Sequence, residues 1–253
     1  MSPVSHLPVP PVLVLTDIEG TTTPIAFVHR TLFPYARTAL PSLITLRAEE
    51  KQVADALDEI ATLAPGADPL MQLLAWMDED AKITPLKTLQ GLAWRDGYEA
   101  GLLQGELYPD VAPALRRWHE AGIGLAVYSS GSEAAQRLIF GHSVDGDVGV
   151  LFSAFFDTRI GGKRDASSYA ELVRHLGLDA GKILFLSDIE AELDAASRSG
   201  LSTCQLVRPG DGTVAGTSHP VAEDFDAVSR LFGLPQAMAP ALDKLDSAAT
   251  PEP

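Results

Sequence analysis

Cysteine is nearly absent: Cys204 is the only one in 253 residues. A lone thiol excludes an intrachain disulfide and any zinc site built from several thiolates, and its apolar setting, LSTCQLV, reads as core. Positive charge is also scarce, with 19 Lys and Arg against 34 Asp and Glu and a formal charge of −15. No lysine and arginine stripe exists to track a nucleic-acid backbone. A small anionic substrate is not excluded, because a phosphate needs only a few local donors and a divalent cation can supply the field. Long apolar runs are missing too, none approaching the roughly 20 residues that span a bilayer. The stretch MSPVSHLPVPP lacks the basic region and apolar core of a secretory signal. These absences lead to the expectation of a cytoplasmic protein with neither membrane nor nucleic-acid partners. What remains, 46% hydrophobic and 21% charged residues, is a globular mix that fits one large domain or two modest ones.

Four short runs rich in Val, Leu and Ile stand out: PVLVLT (11–16), IGLAVYSS (123–130), ILFLSD (183–188) and LSTCQLV (201–207). Continuous rather than alternating, they suit strands buried on both faces of a parallel sheet. Helical patterns follow over Pro109–Gly122, Ser132–Gly141, Asp165–Gly177 and Glu190–Gly200, each ending at a glycine. Alternating strands and helices predict an α/β fold with a doubly wound parallel sheet, whose ligands bind beyond the carboxyl ends of the strands. Residues 25 to about 105 differ, with helices over Phe27–Leu46, Gln52–Leu63, Pro69–Ala81 and Pro85–Leu103 and no clear strand. Such a stretch is long for a crossover. It is either a helical layer of one domain or a small bundle inserted after the first strand's loop. The expected division is residues 10–24 with 106–235 as core, 25–105 as helical insertion and 236–253 as a flexible tail.

Each proposed strand end carries polar residues. LVLTDIEGTTTP gives Asp17 and Glu19, VYSSGS gives Ser129 and Ser130, RIGGKRD gives Lys163, and LSDIEAE gives Asp188, Glu190 and Glu192. Asp17 and Glu19 fit an ordinary turn as well as a catalytic loop. Ser129 could simply end a strand, Ser132 suits a helix cap, and Glu190 suits a solvated first-turn acid. Lys163 is harder to explain structurally, because a cation just ahead of a helix start faces an unfavourable dipole. Brought together at one sheet edge, the groups have a joint chemistry. Asp17 and Asp188 form a hard-oxygen site for magnesium. Asp17 can attack phosphorus, Glu19 can protonate a leaving oxygen and then activate water, and the serines with Lys163 can hold phosphate oxygens.

The order Asp17-x-Glu19-x-Thr21, then serine, lysine and an acidic loop, resembles the haloacid dehalogenase superfamily, with Glu19 where most phosphatase members carry a second aspartate. DIEGTTTPIAFVHRTLFPYA, LQGLAWRDGYEAG, VYSSGSEAAQRLIFGHS, FFDTRIGGK and ILFLSDIEAE are similar in order to the enolase-phosphatases of methionine salvage, from about residue 12 to 208. That resemblance implies a Rossmann-like core with a helical cap. It implies Asp17 as nucleophile and metal ligand, Glu19 as acid/base giving a backbone carbonyl to the metal, and Asp188 completing a site for one Mg2+. Ser129, Ser130 and Lys163 would bind substrate, 2,3-diketo-5-methylthiopentyl 1-phosphate, which the family enolises and then dephosphorylates to an acireductone. Lys87, Gln90 and Trp94 lie along one cap helix near a face formed by Leu86, Leu89, Ala93 and Gly97. Glu192 reads equally as metal support or solvated acid. The expected protein is a monomer, and the rival reading is a phosphatase of the same superfamily acting on another small ester.

Overall fold

The computed structural model describes residues 10–237. The strands are β1 (Leu13–Thr16), β2 (Gly124–Tyr128), β3 (Ala154–Phe156), β4 (Ile183–Ser187), β5 (Ser202–Leu206) and β6 (Val221–Ala222). All pair in parallel in the order β3-β2-β1-β4-β5-β6. Strand β1 shows why the apolar runs are continuous. Successive side chains point to opposite faces, so Val14 enters one apolar cluster with Val127 and Leu184, while Leu13 and Leu15 enter another with Ala126 and Phe185. Both faces are covered. Helices α6 (Val111–Glu120), α7 (Glu133–Gly141) and α10 (Phe225–Phe232) bring Trp118, Phe140 and Phe225 to the first, and α8 (Ala166–Leu176) and α9 (Glu190–Arg198) bring Tyr169 and Leu193 to the second.

Between β1 and α6 lie α1 (Ile25–Phe27), a π-helical turn (Val28–Leu32), α2 (Phe33–Leu46), α3 (Lys51–Leu63), α4 (Pro69–Asp78) and α5 (Thr84–Glu99). Their own apolar cluster includes Leu40, Val53, Ile60, Leu73 and Leu89, separate from the two clusters against the sheet. Asp68 starts α4 by accepting the Met71 N–H at 2.9 Å, with Pro69 in the first turn. The expected start at Pro69 is therefore found. The helix expected to run to Leu103 ends at Glu99 instead. Helix α5 is the link to the sheet: Leu89 and Ala93 face the bundle, while Tyr98 packs into the core cluster. Trp94 donates its ring N–H to the Leu32 carbonyl of the π turn at 2.8 Å, tying α5 to the insertion's first segment.

Two strands were not expected. β3 has three residues and β6 two, too short for any periodicity to register. The tail expected over 236–253 lies, from residue 238 onward, outside the described residues. No helix among the described residues is long and apolar enough to cross a membrane.

Candidate active site

The strand order reverses between β1 and β4, and the crevice at such a switch point is where doubly wound sheets bind ligands. Asp17 follows β1 directly, its N–H donating to the Leu186 carbonyl at 2.9 Å, and Asp188 follows β4. The loop between Asp17 and Thr23 is wound tightly. The Thr21, Thr22 and Thr23 N–H groups all donate to the Ile18 carbonyl at 3.2, 2.9 and 2.9 Å, and the Thr22 hydroxyl lies 3.2 Å from the Asp17 carbonyl. Gly20 is required twice over. Its φ is +69°, and a Cβ there would stand 2.6 Å from Asp188 Oδ2. The glycine lets the Asp188 carboxylate approach the Asp17 loop.

Lys163 joins the cluster from the loop after β3. Its Nζ lies 2.6 Å from Asp17 Oδ1 and 2.7 Å from Glu192 Oε2, with the lysine side chain only 9% exposed. Glu192 also accepts from the Ser187 hydroxyl at 2.9 Å. Two tyrosines hold the lysine's loop, the Tyr169 hydroxyl donating to the Lys163 carbonyl at 2.8 Å and the Tyr128 hydroxyl to the Gly161 carbonyl at 2.9 Å. Burial alone would lower the Lys163 ammonium, yet the flanking Asp17 and Glu192 carboxylates raise it, so it stays charged. Burial, and then the Asp17 charge, push Asp188 up to about 7. The same two causes raise Glu19 and Glu192 above the ordinary carboxylate range.

Ser129 is buried at the end of β2 and its Oγ accepts the Gly131 N–H at 3.3 Å, whereas Ser130 is exposed. The Ser130 carbonyl lies 3.4 Å from Lys87 Nζ of α5, bridging sheet and insertion. Beneath the insertion a cavity of about 100 Å³ is bordered by Glu19, Ser129 and Ser130 on the sheet side and by Trp76, Gln90 and Trp94 on the other. The six expected residues therefore all stand at the carboxyl ends of the strands or in the loops that follow them. Ser132 is a helix cap, accepting the Ala135 N–H at 3.3 Å, and Glu190 turns away to accept the Ser218 N–H at 3.3 Å.

Two residues gained importance only in the fold. Glu192, undecided in the sequence, is buried against Lys163 because α9 turns its first-turn acid inward. Arg208 gave no signal beyond its place just after a strand end. Its buried guanidinium donates to the Thr21 carbonyl through Nε (3.0 Å) and Nη2 (2.6 Å) and reaches both Asp110 oxygens at 2.9 Å. It thus braces the Asp17 loop from behind.

The donor set suits a hard divalent cation. Asp188 has no ion-pair partner among the described residues, and the neighbouring Asp17 charge disfavours its ionised form. Among the described residues no three His, Cys, Asp or Glu side chains form a ready protein cage. The two carboxylates from neighbouring strand ends fit an ion such as magnesium, which takes one or two carboxylates and keeps several waters.

A sequence model of haloacid dehalogenase-like hydrolases matches residues 12–200. The chain is 65% identical over 224 residues to an enolase-phosphatase E1 of Gluconacetobacter diazotrophicus, spanning 88% of this chain and 95% of that one. It is 57% identical over 227 residues to the enolase-phosphatase E1 of Granulibacter bethesdensis, spanning 89% and 98%. Among solved structures, the Unknown transcript 4 protein of Saccharomyces cerevisiae matches with a TM-score of 0.74 at 33% identity, over 85% of this chain and 99% of that one. A HAD phosphatase of Thermococcus onnurineus shares the fold at a TM-score of 0.58 and 16% identity, over 89% and 99%. The chain belongs to the haloacid dehalogenase-like hydrolases and, within them, to the enolase-phosphatases.

Proposed function

We propose that this protein converts 2,3-diketo-5-methylthiopentyl 1-phosphate to the acireductone 1,2-dihydroxy-3-keto-5-methylthiopentene and phosphate, as the enolase-phosphatase of methionine salvage. The observation that carries the catalytic reading is the buried contact of Lys163 with Asp17, 2.6 Å apart at the switch point. A lysine so placed neutralises charge where a phosphate would meet a carboxylate. Asp17 is assigned as nucleophile: its carboxylate oxygen bonds to phosphorus, the ester oxygen departs, and an aspartyl-phosphate remains. Glu19, raised by burial and by Asp17, can hold a proton for the leaving oxygen and then take one from the water that cleaves the aspartyl-phosphate. Ser129 and Ser130 are assigned to the phosphate oxygens.

One magnesium ion is assigned to the carboxylates of Asp17 and Asp188 and the carbonyl of Glu19. When bound it would supply positive charge to a phosphoryl oxygen and to a substrate carbonyl. Residues 25–105 are assigned as a cap that shields the cavity from water, over a core of 10–24 and 106–235. The reading includes a monomer in the cytoplasm.

The test is phosphate release from the diketone phosphate, with magnesium, by the wild type and by Asp17→Asn. The expected loss in kcat is about 1,000-fold or more, with an unchanged melting temperature. Wild-type turnover in the variant would remove Asp17 as nucleophile.

A further inference from the structure

Gln136 stands in the first turn of α7, 1% exposed, and both hydrogens of its carboxamide go to carbonyls outside that helix. Its Nε2 donates to the Gly131 carbonyl at 2.8 Å and to the Phe156 carbonyl at 2.9 Å. The Ser129 N–H donates to the same Phe156 carbonyl at 3.1 Å. One side chain thus ties the loop after β2, residues 129–132, to the last residue of β3, from which the chain runs on to Lys163. That loop borders the cavity on the sheet side. Its sequence, Ser-Ser-Gly-Ser, holds no apolar side chain to anchor it in the core, so its shape depends on ties from outside. In a trans peptide the C=O and N–H point opposite ways, so a held Gly131 carbonyl also sets where the Ser132 N–H points.

The tie carries a cost. Gln136 Oε1 is buried without a hydrogen-bond partner among the described residues, and an unpaired buried acceptor is unfavourable. Leu or Met would fill the same space with no oxygen left over. Packing therefore does not explain an amide at this position, whereas its two donors do. We propose that Gln136 is a positioning residue for phosphate binding, holding residues 129–132 against β3 in the shape that receives a phosphoryl group. This rests on the phosphatase reading given above, in which Ser129 and Ser130 meet the phosphate. Gln136 itself donates nothing to the phosphate, because both its N–H groups are taken.

The probe is inorganic phosphate, titrated calorimetrically into the full chain with magnesium. Gln136→Met keeps the length and loses the donors. Its affinity for phosphate should fall about 5- to 10-fold, the scale of one neutral hydrogen bond. Its melting temperature should stay within about 4 °C of wild type, because the unpaired oxygen goes with the donors. Hydrogen exchange should quicken by a similar factor at residues 130–132 and stay as in wild type along the rest of α7. Gln136→Asn holds the donors one methylene short of both carbonyls and should lose phosphate affinity in the same way; it carries the test if Gln136→Met does not fold. Wild-type affinity for phosphate in these variants overturns the proposal and leaves the phosphate site standing. Quickened exchange along the whole of α7, or loss of the fold in both variants, also overturns it, since either makes Gln136 a residue of the core alone. A wild type that binds no phosphate overturns the phosphatase reading, and the positioning role falls with it.

Discussion

Asp188 sits beside Asp17 at the carboxyl end of β4, and burial with that neighbouring charge moves it up to about 7. Its folded value lies above the ordinary value near 4, so between those limits the folded chain holds a proton that the unfolded chain has released. Metal-free protein should therefore lose stability as pH rises from about 4 to 7. A divalent cation needs the ionised carboxylate, which gives the opposite slope for binding. Magnesium affinity should fall by about tenfold per pH unit below 7. Titrating magnesium from pH 5.5 to 8 checks this. Asp188→Asn should remove that slope and weaken the metal by at least about tenfold; an unchanged metal titration would take Asp188 out of the site. Asp17, Glu19 and Asp188 were legible as candidates because each follows an apolar run at a strand end, and Lys163 because it is a cation just ahead of a helix start. Glu192 was not, since a first-turn acid reads the same on paper whether α9 turns it to solvent or to a buried lysine.

At the level of elements, the short continuous apolar runs and glycine-ended helices pointed to the sheet and its flanking layers, because burial on two faces leaves a strong pattern. Short edge strands left none. β3 and β6 exist through pairing with β2 and β5, which only the assembled sheet supplies. Arg208 was hidden for a similar reason: its partners, Thr21, Asp110 and the Glu223 carbonyl, are 187, 98 and 15 residues away. Its guanidinium also lies over the Tyr108 ring, 4.2 Å from the centroid. Arg208→Met leaves Asp110 without its partner and the Thr21 carbonyl without its donors. The expected cost is about 3 kcal/mol in urea unfolding, with a loss of kcat from a loosened Asp17 loop. An unfolding midpoint equal to wild type would show that the brace is dispensable. The inner face of α5 was readable from the spacing of Leu86, Leu89, Ala93 and Gly97. Gly97 proves close-packed, since a Cβ there would stand 2.7 Å from the Tyr35 ring. Which α5 side chains border the cavity depended on how the insertion sits over the sheet, and helical spacing alone does not specify that.

For the whole molecule, the two parts divide the chemistry. The sheet gathers Asp17, Asp188 and Lys163 at its switch point, and a cavity bordered by Glu19, Ser129 and Ser130 lies between that edge and the insertion. A charge of −15 spread over the chain means that an anionic substrate would depend on the local field of Lys163, Lys87 and the proposed magnesium ion rather than on the overall field. The proposed function makes two claims, phosphoryl transfer at the strand ends and enolisation of the diketone before it. The measurement that tests both together is anaerobic incubation of the protein with the diketone phosphate and magnesium, following enediol absorbance in the ultraviolet and inorganic phosphate at once. The account predicts that both signals rise with the enzyme and stay flat without it. An untouched diketone, alongside hydrolysis of a simple aryl phosphate, would leave the nucleophile in place and contradict the enolase-phosphatase assignment.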